Sequence, residues 1–486
     1  MSGSLLLAAI AVWFAAGAVL SYFARSAAGA GRGMSGFFLA NRGIGGVVSA
    51  MTYSATTYSA FMMVGLVGIT YRSGVASLGF ELAYLAATVV LLTIFAPRYW
   101  AAGRYFNLVT PPELLSVRYG SRAAGGVAAV LSLVMLIPYA SVQLMGVGYL
   151  VESLSGGSLS FGFGIVLAAG VSLVYSRWGG LRSVAWTDAL QASIMMIACL
   201  VLAWYVSARL FPSGMTEALR PASQLLEVRW PWPMFLGMTL PWVFFAVTNP
   251  QVVQRLYSPR DVAGIRRMIL GFAVFGLVYT VLCVFLGLAA AAAVPGLPNP
   301  DGAMAALLSR APAPIALVVT LSIIAAAVST LTAVMLTLSS IFARDIVRPL
   351  APGIGEHVEL TAGKAALPVI AVACCIFAAL RPGLIVVLSS LASGGLLAQA
   401  PAVFGAFFWP RGNAAGAGLS MIAGALTMIL LTVWKINPMG QWPSVWTLVV
   451  SSAVYVIASY ASRPSDSGET FVAAVRDETK RSFPGM

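Results

Sequence analysis

Hydroxyl side chains recur within an apolar stretch late in the chain, residues 321–346, which reads LSIIAAAVSTLTAVMLTLSSIFARDI. Such hydroxyls usually bond back to a carbonyl oxygen one turn earlier in their own helix. Ser329 and Thr330 are adjacent, however, so they cannot both lie on one narrow face of a helix. Together with the carbonyl of Ala326 they place three neutral oxygens near one point, and hard cations prefer oxygen ligands. The spacing favours a sodium site here. The alternative is that these hydroxyls only donate hydrogen bonds to carbonyl oxygens of their own helix.

The composition places most of the chain in a lipid bilayer. Hydrophobic residues make up 60% of the 486 positions and charged residues only 9%, whereas soluble domains carry about 25% charged residues. The 28 basic residues outnumber the 15 acidic ones, but they are scattered through short loops and form no basic stripe. We therefore expect the lipid bilayer as a partner and no nucleic-acid partner.

The predicted water-exposed segments contain no recognisable catalytic motif. We find no metal cluster, nucleophile–base pair or phosphate loop, so we expect no enzyme. The single histidine, His357, lies in a loop, which argues against a histidine proton relay. The cysteines fall in apolar runs and are expected to be small buried residues, not disulfides or metal ligands: Cys199, Cys283, Cys374 and Cys375.

Thirteen stretches are long and apolar enough to predict an all-α integral membrane protein, since a spanning helix needs roughly 20 such residues. The first is too long for the apolar core of a signal peptide and is taken as a retained span. The predicted spans are 4–24, 44–70, 77–97, 124–153, 159–176, 186–208, 233–254, 268–293, 313–342, 366–380, 384–410, 414–434 and 443–460.

The basic residues predict the orientation. With the N-terminus outside and the C-terminus inside, most of the 28 basic residues fall in cytoplasmic loops, as the positive-inside rule requires. After the last span the chain is polar and short, and we expect little order in it. The predicted divisions are a leading helix and cytoplasmic loop at 1–43, a first repeat at 44–208, a second repeat at 209–410, two trailing helices at 411–462 and a cytoplasmic tail at 463–486.

Two of the predicted spans are poor continuous helices. The second span carries a run of hydroxyls through its middle, followed by Gly65 and Gly68, and the seventh contains Pro241 and Pro250. Interrupted helices at corresponding positions of two halves are typical of inverted-repeat transporters. Spans two to six and seven to eleven would then form a 5+5 core. The alternative is that glycine and proline are simply frequent in membrane helices.

The chain resembles the sodium:solute symporter family, in six motifs that occur in the family's order. WGGLRSVAWTDALQ at 178–191 is the most diagnostic of them. The others are GITYRSG at 68–74, TPPELLSVRYGSR at 110–122, NPQVVQRLYSPRD at 249–261, AAAVSTLTAVMLTLSSIFARD at 325–345 and GAFFWPRGNAAGA at 405–417. The resemblance implies a sodium-coupled, inverted-repeat fold with an extra leading helix.

The resemblance also implies a sodium site. In the family, two carbonyls of the broken second span join one carbonyl and two hydroxyls of the ninth. Matched onto this chain, the carbonyls of the second span belong to Ala55 and Tyr58, and the others to Ala326, Ser329 and Thr330. This ligand set holds no formal negative charge, which suits weak and reversible binding.

Some family members hold a second sodium, for which Asp188 and Thr332 match part of the pattern. Ala333 stands where those members have a serine. Asp188 at the start of the sixth span is instead a candidate for guiding sodium out of the protein. Its alternative role is a salt bridge with Arg182 at the membrane surface.

The matched substrate positions cluster on five spans. Met62 and Gln251 replace a sugar-contacting glutamine and a gating tyrosine of sugar-transporting members, which disfavours a sugar. Glu81 is a carboxylate within an apolar helix, either functional or solvated at the outer rim. The predicted substrate residues are Thr57, Ser59, Phe61, Met62, Glu81, Tyr139, Gln143, Asn249, Gln251, Ser390 and Ser393.

The resemblance and the residues together predict a sodium-coupled symporter that imports a small polar organic solute, such as an organic acid, an amino acid or a vitamin-like compound. We expect a monomer that works by alternating access in a bacterial inner membrane, with Na⁺ as the coupling ion. A proton-coupled carrier using Glu81 and Asp188 is the alternative. A membrane sensor is disfavoured, because the tail after Ser462 is too short for a kinase.

Overall fold

The computed structural model describes residues 3–26, 33–383, 385–465 and 467–484. The predicted segments 1–43, 209–410 and 463–486 therefore each include positions outside the described residues. Within the described part the chain is helical, and its one extended pairing is a single parallel bridge between Ile44 and Pro259.

Helices account for almost all of the described chain. The first half contains α1 (Gly3–Ser26), α2 (Gly33–Leu39), α3 (Gly46–Thr57), α4 (Val67–Ser73), α5 (Ala76–Tyr105), α6 (Pro111–Arg118), α7 (Arg122–Leu154), α8 (Phe161–Tyr205) and α9 (Met215–Ala218). The second half contains α10 (Trp232–Val243), α11 (Phe245–Thr248), α12 (Pro250–Leu256), α13 (Val262–Ala293), α14 (Ala303–Leu308), α15 (Ala313–Ile341), α16 (Arg348–Leu350), α17 (Glu356–Ala379), α18 (Ile385–Leu396), α19 (Ala400–Phe408), α20 (Ala414–Val433), α21 (Pro443–Ala461) and α22 (Ser467–Ser482).

Ten helical stretches of the described chain are long and apolar enough to cross a membrane, where the sequence predicted thirteen spans. Two of the predicted spans are divided into pieces, each too short to cross a bilayer alone. The fifth and sixth predicted spans form one helical stretch, Phe161–Leu210. The tenth begins earlier than predicted and occupies Glu356–Ala379.

Gly180 interrupts the long helix α8. Its backbone angles, φ 58° and ψ −165°, lie outside the helical region and in one that side chains with a Cβ rarely enter. A Cβ at this position would also come within 2.5 Å of the carbonyl oxygen of Phe37 on α2. Glycine is therefore required here both for the turn in α8 and for the close approach of α2.

The second predicted span is broken, as expected. Helix α3 ends at Thr57, and Tyr58 is extended with φ −91° and ψ 94°. A wide helical segment, Phe61–Leu66, and then α4 continue the chain. The break leaves the last carbonyls of α3 without partners in their own helix.

The seventh predicted span is broken too. Helix α10 ends at Val243 and is followed by the single turn α11. Asn249 is extended with φ −88° and ψ 109°, because a residue before proline is disfavoured in the helical region. Pro250 then starts α12 at a position where its missing N–H is harmless.

Helix α15 lies at the centre of the bundle. Every residue from 322 to 341 is buried, and the helix packs against α3, α7, α8, α12 and α17. A helix enclosed on all sides has no lipid-facing surface, so its hydroxyls face protein. The predicted sodium residues of α15 are therefore inside the protein.

The described part of the C-terminal tail is mostly helical, contrary to the expectation from its polarity. Helix α22 packs on α5, and Phe471, Val475 and Phe483 are buried. The ring of Phe471 stacks on Phe106, with centroids 4.9 Å apart. The tail was misjudged because three spaced apolar residues are a weak signal in sequence, and their partners lie far away along the chain.

We predict that Gly180→Ala lowers the melting temperature of the purified protein in detergent, because the substitution adds about 1–3 kcal/mol of backbone strain and a clash with Phe37. Gly170→Ala in the same helix is the control. A Cβ there meets nothing within 4 Å, and alanine is favoured over glycine in helices by about 1 kcal/mol. Equal melting temperatures for the two variants would contradict this role of Gly180.

We predict that Phe471→Ala loosens α22 and speeds trypsin cleavage at Arg476, Lys480 and Arg481. The substitution removes the stacking on Phe106 and a buried ring, and released segments are cut faster. Glu469→Ala, an exposed position of the same helix, is the control and should leave the cleavage rate unchanged. Equal cleavage rates for both variants would mean that Phe471 does not hold the tail.

Candidate functional site

The break in the second span and helix α15 meet at a cluster of neutral oxygen atoms. The Ser329 hydroxyl has one proton to donate and lies within reach of two carbonyl oxygens, that of Ala55 at 3.0 Å and that of Ala326 at 2.9 Å. The Thr330 hydroxyl donates to the same Ala55 carbonyl at 3.1 Å. All four residues are buried. Residues more than 270 positions apart in sequence are thus joined at the predicted point.

The local sequence explains why this carbonyl is available. In a continuous helix the Ala55 carbonyl would accept from the N–H of Ser59, but the chain is extended at Tyr58. Just after the break, the backbone N–H of Phe61 donates to the Ser59 hydroxyl at 3.1 Å. The free carbonyl is then satisfied by hydroxyls of α15, which is what a buried polar group requires. The same oxygens can be shared by a small hard cation.

Tyr58 lies at the break itself. Its ring is buried and stacks on Phe272 of α13, with centroids 5.4 Å apart. This packing fixes the backbone of the break beside α15. The participation of its carbonyl in ion binding stays a prediction.

Asp188 pairs with Thr52 and Arg255, which the sequence analysis did not foresee. Its carboxylate accepts a hydrogen bond of 2.6 Å from the Thr52 hydroxyl on α3 and lies 3.8 Å from the guanidinium of Arg255 on α12. The expected alternative, a surface salt bridge with Arg182, is wrong. Arg182 precedes Asp188 by six residues in the same helix and therefore points to another side. Asp188 and Arg255 are each only 1% exposed.

The Thr332 hydroxyl donates no hydrogen bond to the described atoms of the oxygen cluster. Its hydroxyl donates to the carbonyl of Val328 at 2.6 Å, one turn earlier in α15. This is the ordinary internal bond of a hydroxyl in an apolar helix. Among the described residues, Thr332 and Asp188 are not joined by a hydrogen bond.

Four of the candidate solute residues, Phe61, Asn249, Ser390 and Ser393, lie in contacts around the second break. Asn249 donates to Ser393 at 3.4 Å, and the Trp242 indole donates to Ser390 at 3.2 Å. Trp242 also packs on Phe61, with centroids 4.9 Å apart. These contacts bring residues of the second, seventh and eleventh predicted spans to one place.

Several candidate solute residues keep polar atoms without a hydrogen-bond partner among the described residues, although they are buried. Gln251 has both amide atoms free, and Gln143 has its carbonyl oxygen free. Buried polar groups normally find partners, so such atoms point to a ligand. The remaining free hydroxyls of this group belong to Thr57 and Tyr139.

Glu81 is inside the protein. It is 1% exposed, so the expectation of a solvated carboxylate at the outer rim is wrong. One carboxylate oxygen has no hydrogen-bond partner among the described residues, and no described cation pairs with it. A carboxylate placed in this way is costly and is a functional candidate.

Sequence reasoning missed the aromatic residues of the solute region. Trp242 stacks on Phe245 at 5.3 Å, and Tyr84 lies edge-on to Trp242 at 5.8 Å. The run PWVFF beside Pro241 was the available signal, because aromatic residues next to a helix break often line a cavity.

Sequence reasoning also missed a polar network that follows the oxygen cluster toward the C-terminal end of α15. Gln254 of α12 accepts from Thr337 at 2.7 Å and donates to Ser340 at 2.9 Å, which ties the seventh span to α15. Further along, Arg344 lies 3.4 Å from Glu113 and 3.3 Å from Glu359. Burial raises the pKa of the Glu113 carboxyl, and Arg344 and the backbone N–H groups of Val109 and Thr110, just before α6, oppose that rise. This network holds the ends of several helices together.

Comparisons with known proteins point to one family. The family model described as the sodium:solute symporter family matches residues 37–424. The chain is 28% identical to a sodium/pantothenate symporter of Escherichia coli (strain K12) over 463 residues, covering 90% of this chain and 93% of that protein. It is 25% identical to a sodium/proline symporter of Haemophilus influenzae over 476 residues, covering 89% and 90%.

The fold is similar to that of a solved Na⁺-coupled sialic acid symporter, in a substrate-bound outward-open state. The TM-score is 0.79 at 17% identity, and the similarity covers 96% of this chain and 98% of that one. At this identity the comparison establishes the fold alone. With the family match over most of its length, the chain belongs to the sodium:solute symporter family.

Proposed function

We propose that this protein is a sodium-coupled symporter that imports a small polar organic solute by alternating access. The observation that carries the proposal is the shared Ala55 carbonyl, which Ser329 and Thr330 reach from α15. Sodium entering this cluster would tie the broken second span to α15. The ligand set proposed is the backbone of Ala55, Tyr58 and Ala326 with the two hydroxyls.

Solute binding is proposed beside the two breaks. Thr57, Ser59, Phe61, Met62 and Glu81 would line one side. The other side would be formed by Tyr139, Gln143, Asn249, Gln251, Ser390 and Ser393. Relatives carry pantothenate and proline in their names, which supports an organic acid, an amino acid or a vitamin-like solute. The absence of lysine and arginine from this set means that an anionic group would rely on hydroxyls and helix ends.

We propose thirteen spans in a 5+5 inverted-repeat core, with the N-terminus outside and the C-terminus inside. The ten long helical stretches, the two broken segments and the division of α8 at Gly180 support that count. The divisions at 44–208 and 209–410 remain the proposed repeats. The proposed setting is a bacterial inner membrane, since pantothenate and proline relatives are bacterial, with the monomer as the working unit.

Sodium coupling is energetically sufficient for import. One sodium crossing about 100 mV contributes about 2.3 kcal/mol. A roughly tenfold sodium gradient adds about 1.4 kcal/mol. The sum, about 3.7 kcal/mol, supports accumulation of a neutral solute by a few hundred-fold. A second sodium would square that ratio, so the ion count decides how steep a gradient the carrier can build.

We predict that Ser329→Ala and Thr330→Ala each abolish the sodium dependence of uptake or raise the half-saturating sodium concentration at least about tenfold. Each variant removes one oxygen of the cluster. The assay is uptake of radiolabelled pantothenate, proline and other organic acids, amino acids and vitamins into proteoliposomes, with and without a sodium gradient.

Ser322→Ala is the matched control for this test. Its hydroxyl is buried in the same helix but donates only to the carbonyl of Val319, at 2.8 Å. Its sodium dependence should equal that of the wild type. Unaltered sodium dependence in both Ser329→Ala and Thr330→Ala would refute the proposed sodium site.

A proton-coupled carrier is the second candidate, and the buried Glu81 favours it. We predict that a sodium gradient at equal pH drives uptake in wild-type proteoliposomes, whereas a pH gradient without sodium does not. The reason is that the described ion cluster consists of neutral oxygens, which bind no proton at ordinary pH. Uptake driven by pH alone, and lost in Glu81→Gln, would establish the proton-coupled alternative instead.

A further inference from the structure

Asp188, Arg255 and Thr52 form a buried charge cluster that the proposed sodium site does not use. The Thr52 hydroxyl donates to one carboxylate oxygen of Asp188 at 2.6 Å, and the Arg255 guanidinium lies 3.8 Å from that same oxygen. The three residues come from three different elements, α3, α8 and α12. Both charged side chains are 1% exposed.

The ion pair of this cluster is loose. The nitrogens of the Arg255 guanidinium and the second oxygen of Asp188 make no hydrogen bond with any described residue. Buried ion pairs are stable when good geometry and further hydrogen bonds compensate for lost hydration, and these compensations are missing here. Such a pair is easily exchanged for another arrangement of charge.

The charge cluster lies next to the proposed sodium site. Thr52 precedes Ala55 by three residues in α3, which is about 4.5 Å along the helix axis. In the proposed orientation α3 begins at the cytoplasmic side, so Thr52 and Asp188 lie on the cytoplasmic side of the oxygen cluster. A sodium ion leaving inward would meet the Asp188 carboxylate first.

We propose that Arg255 is a tethered cation that replaces sodium at Asp188, so that the ion is released to the cytoplasm instead of being retained by the carboxylate. This inference rests on the proposed function. A free carboxylate buried in protein would hold a cation strongly, because little water screens it. The guanidinium competes for that carboxylate and keeps the path neutral once the ion has left.

The position of Arg255 also links release to movement. It lies on α12, directly after the break at Asn249, and α12 packs on both α3 and α15. A shift of this short helix would move the guanidinium relative to Asp188 without unfolding either neighbour. The solute region and the release path are therefore joined through one seven-residue helix.

The test uses sodium alone as the probe, with the full-length protein purified in detergent. The measured quantity is the sodium concentration that gives half of the maximal rise in melting temperature, with choline chloride matching the ionic strength. Arg255→Gln should lower this concentration at least about tenfold, because Asp188 is left free for sodium. Asp188→Asn should raise it by a similar factor, because an unpaired guanidinium then repels the ion.

The double variant, Asp188→Asn with Arg255→Gln, removes both charges and should return the value to within about threefold of the wild type. Arg255→Lys keeps the charge and should also stay near the wild type. Opposite shifts that cancel in the double variant are a charge-balance signature that a purely structural role does not give. If Arg255→Gln does not fold, the half-maximal sodium concentration of Asp188→Asn is compared with that of the double variant. A raised value in the first and a value near the wild type in the second would support the inference.

Two results would overturn the inference: single variants that shift the sodium concentration in the same direction, or Asp188→Asn with a wild-type value. A wild-type protein whose melting temperature does not respond to sodium would instead refute the proposed function. A normal response in the wild type, lost in Ser329→Ala but unchanged in Arg255→Gln, in Asp188→Asn and in the double variant, would leave the proposed function intact and reject the tethered cation.

Discussion

The carbonyl of Ala55 needs a partner that its own helix cannot supply. Inside a bilayer an unsatisfied backbone group costs several kcal/mol, and the extended residue Tyr58 removes the helical donor. Ser329 and Thr330 meet this need from α15. The broken segment must therefore stay against α15, and the helices around it are arranged accordingly. A site made by this requirement is also suited to a small cation, because its donors can turn and present lone pairs.

The second break is also held by a distant helix, but through side chains. Asn249 is extended and its side chain reaches Ser393, while Trp242 reaches Ser390 and packs on Phe61 of the first break. The two interrupted segments thus touch through aromatic rings, with buried amide groups of Gln143 and Gln251 nearby in the candidate solute set. Movement of either segment would therefore shift residues of both proposed sites. Alternating access by rocking of one bundle against another is consistent with this arrangement.

Buried charge is the other constraint on the fold. Asp188 and Arg255 partly neutralise each other, and Arg344 bridges Glu113 and Glu359. These pairs join the ends of helices on the proposed cytoplasmic side, where a closed pathway must exclude water. Glu81 stands apart, since no described cation pairs with it. Its buried carboxyl group is therefore a functional candidate in the proposed solute site.

The sequence by itself determined the membrane class and the two interrupted spans, and it singled out Ala326, Ser329 and Thr330 as candidate ligands. These features are local, because apolar length, proline, glycine and hydroxyl spacing act on the residues next to them. The family and the candidate carbonyl of Ala55 came instead from the resemblance of the motifs. The tertiary structure alone decided that Asp188 pairs with Arg255 instead of Arg182, that Glu81 is buried, that Trp242 contacts Phe61 and Ser390 and that α22 is a docked helix. Each of these depends on which surfaces of distant helices meet, and sequence separation carries no information about such contacts in a single chain.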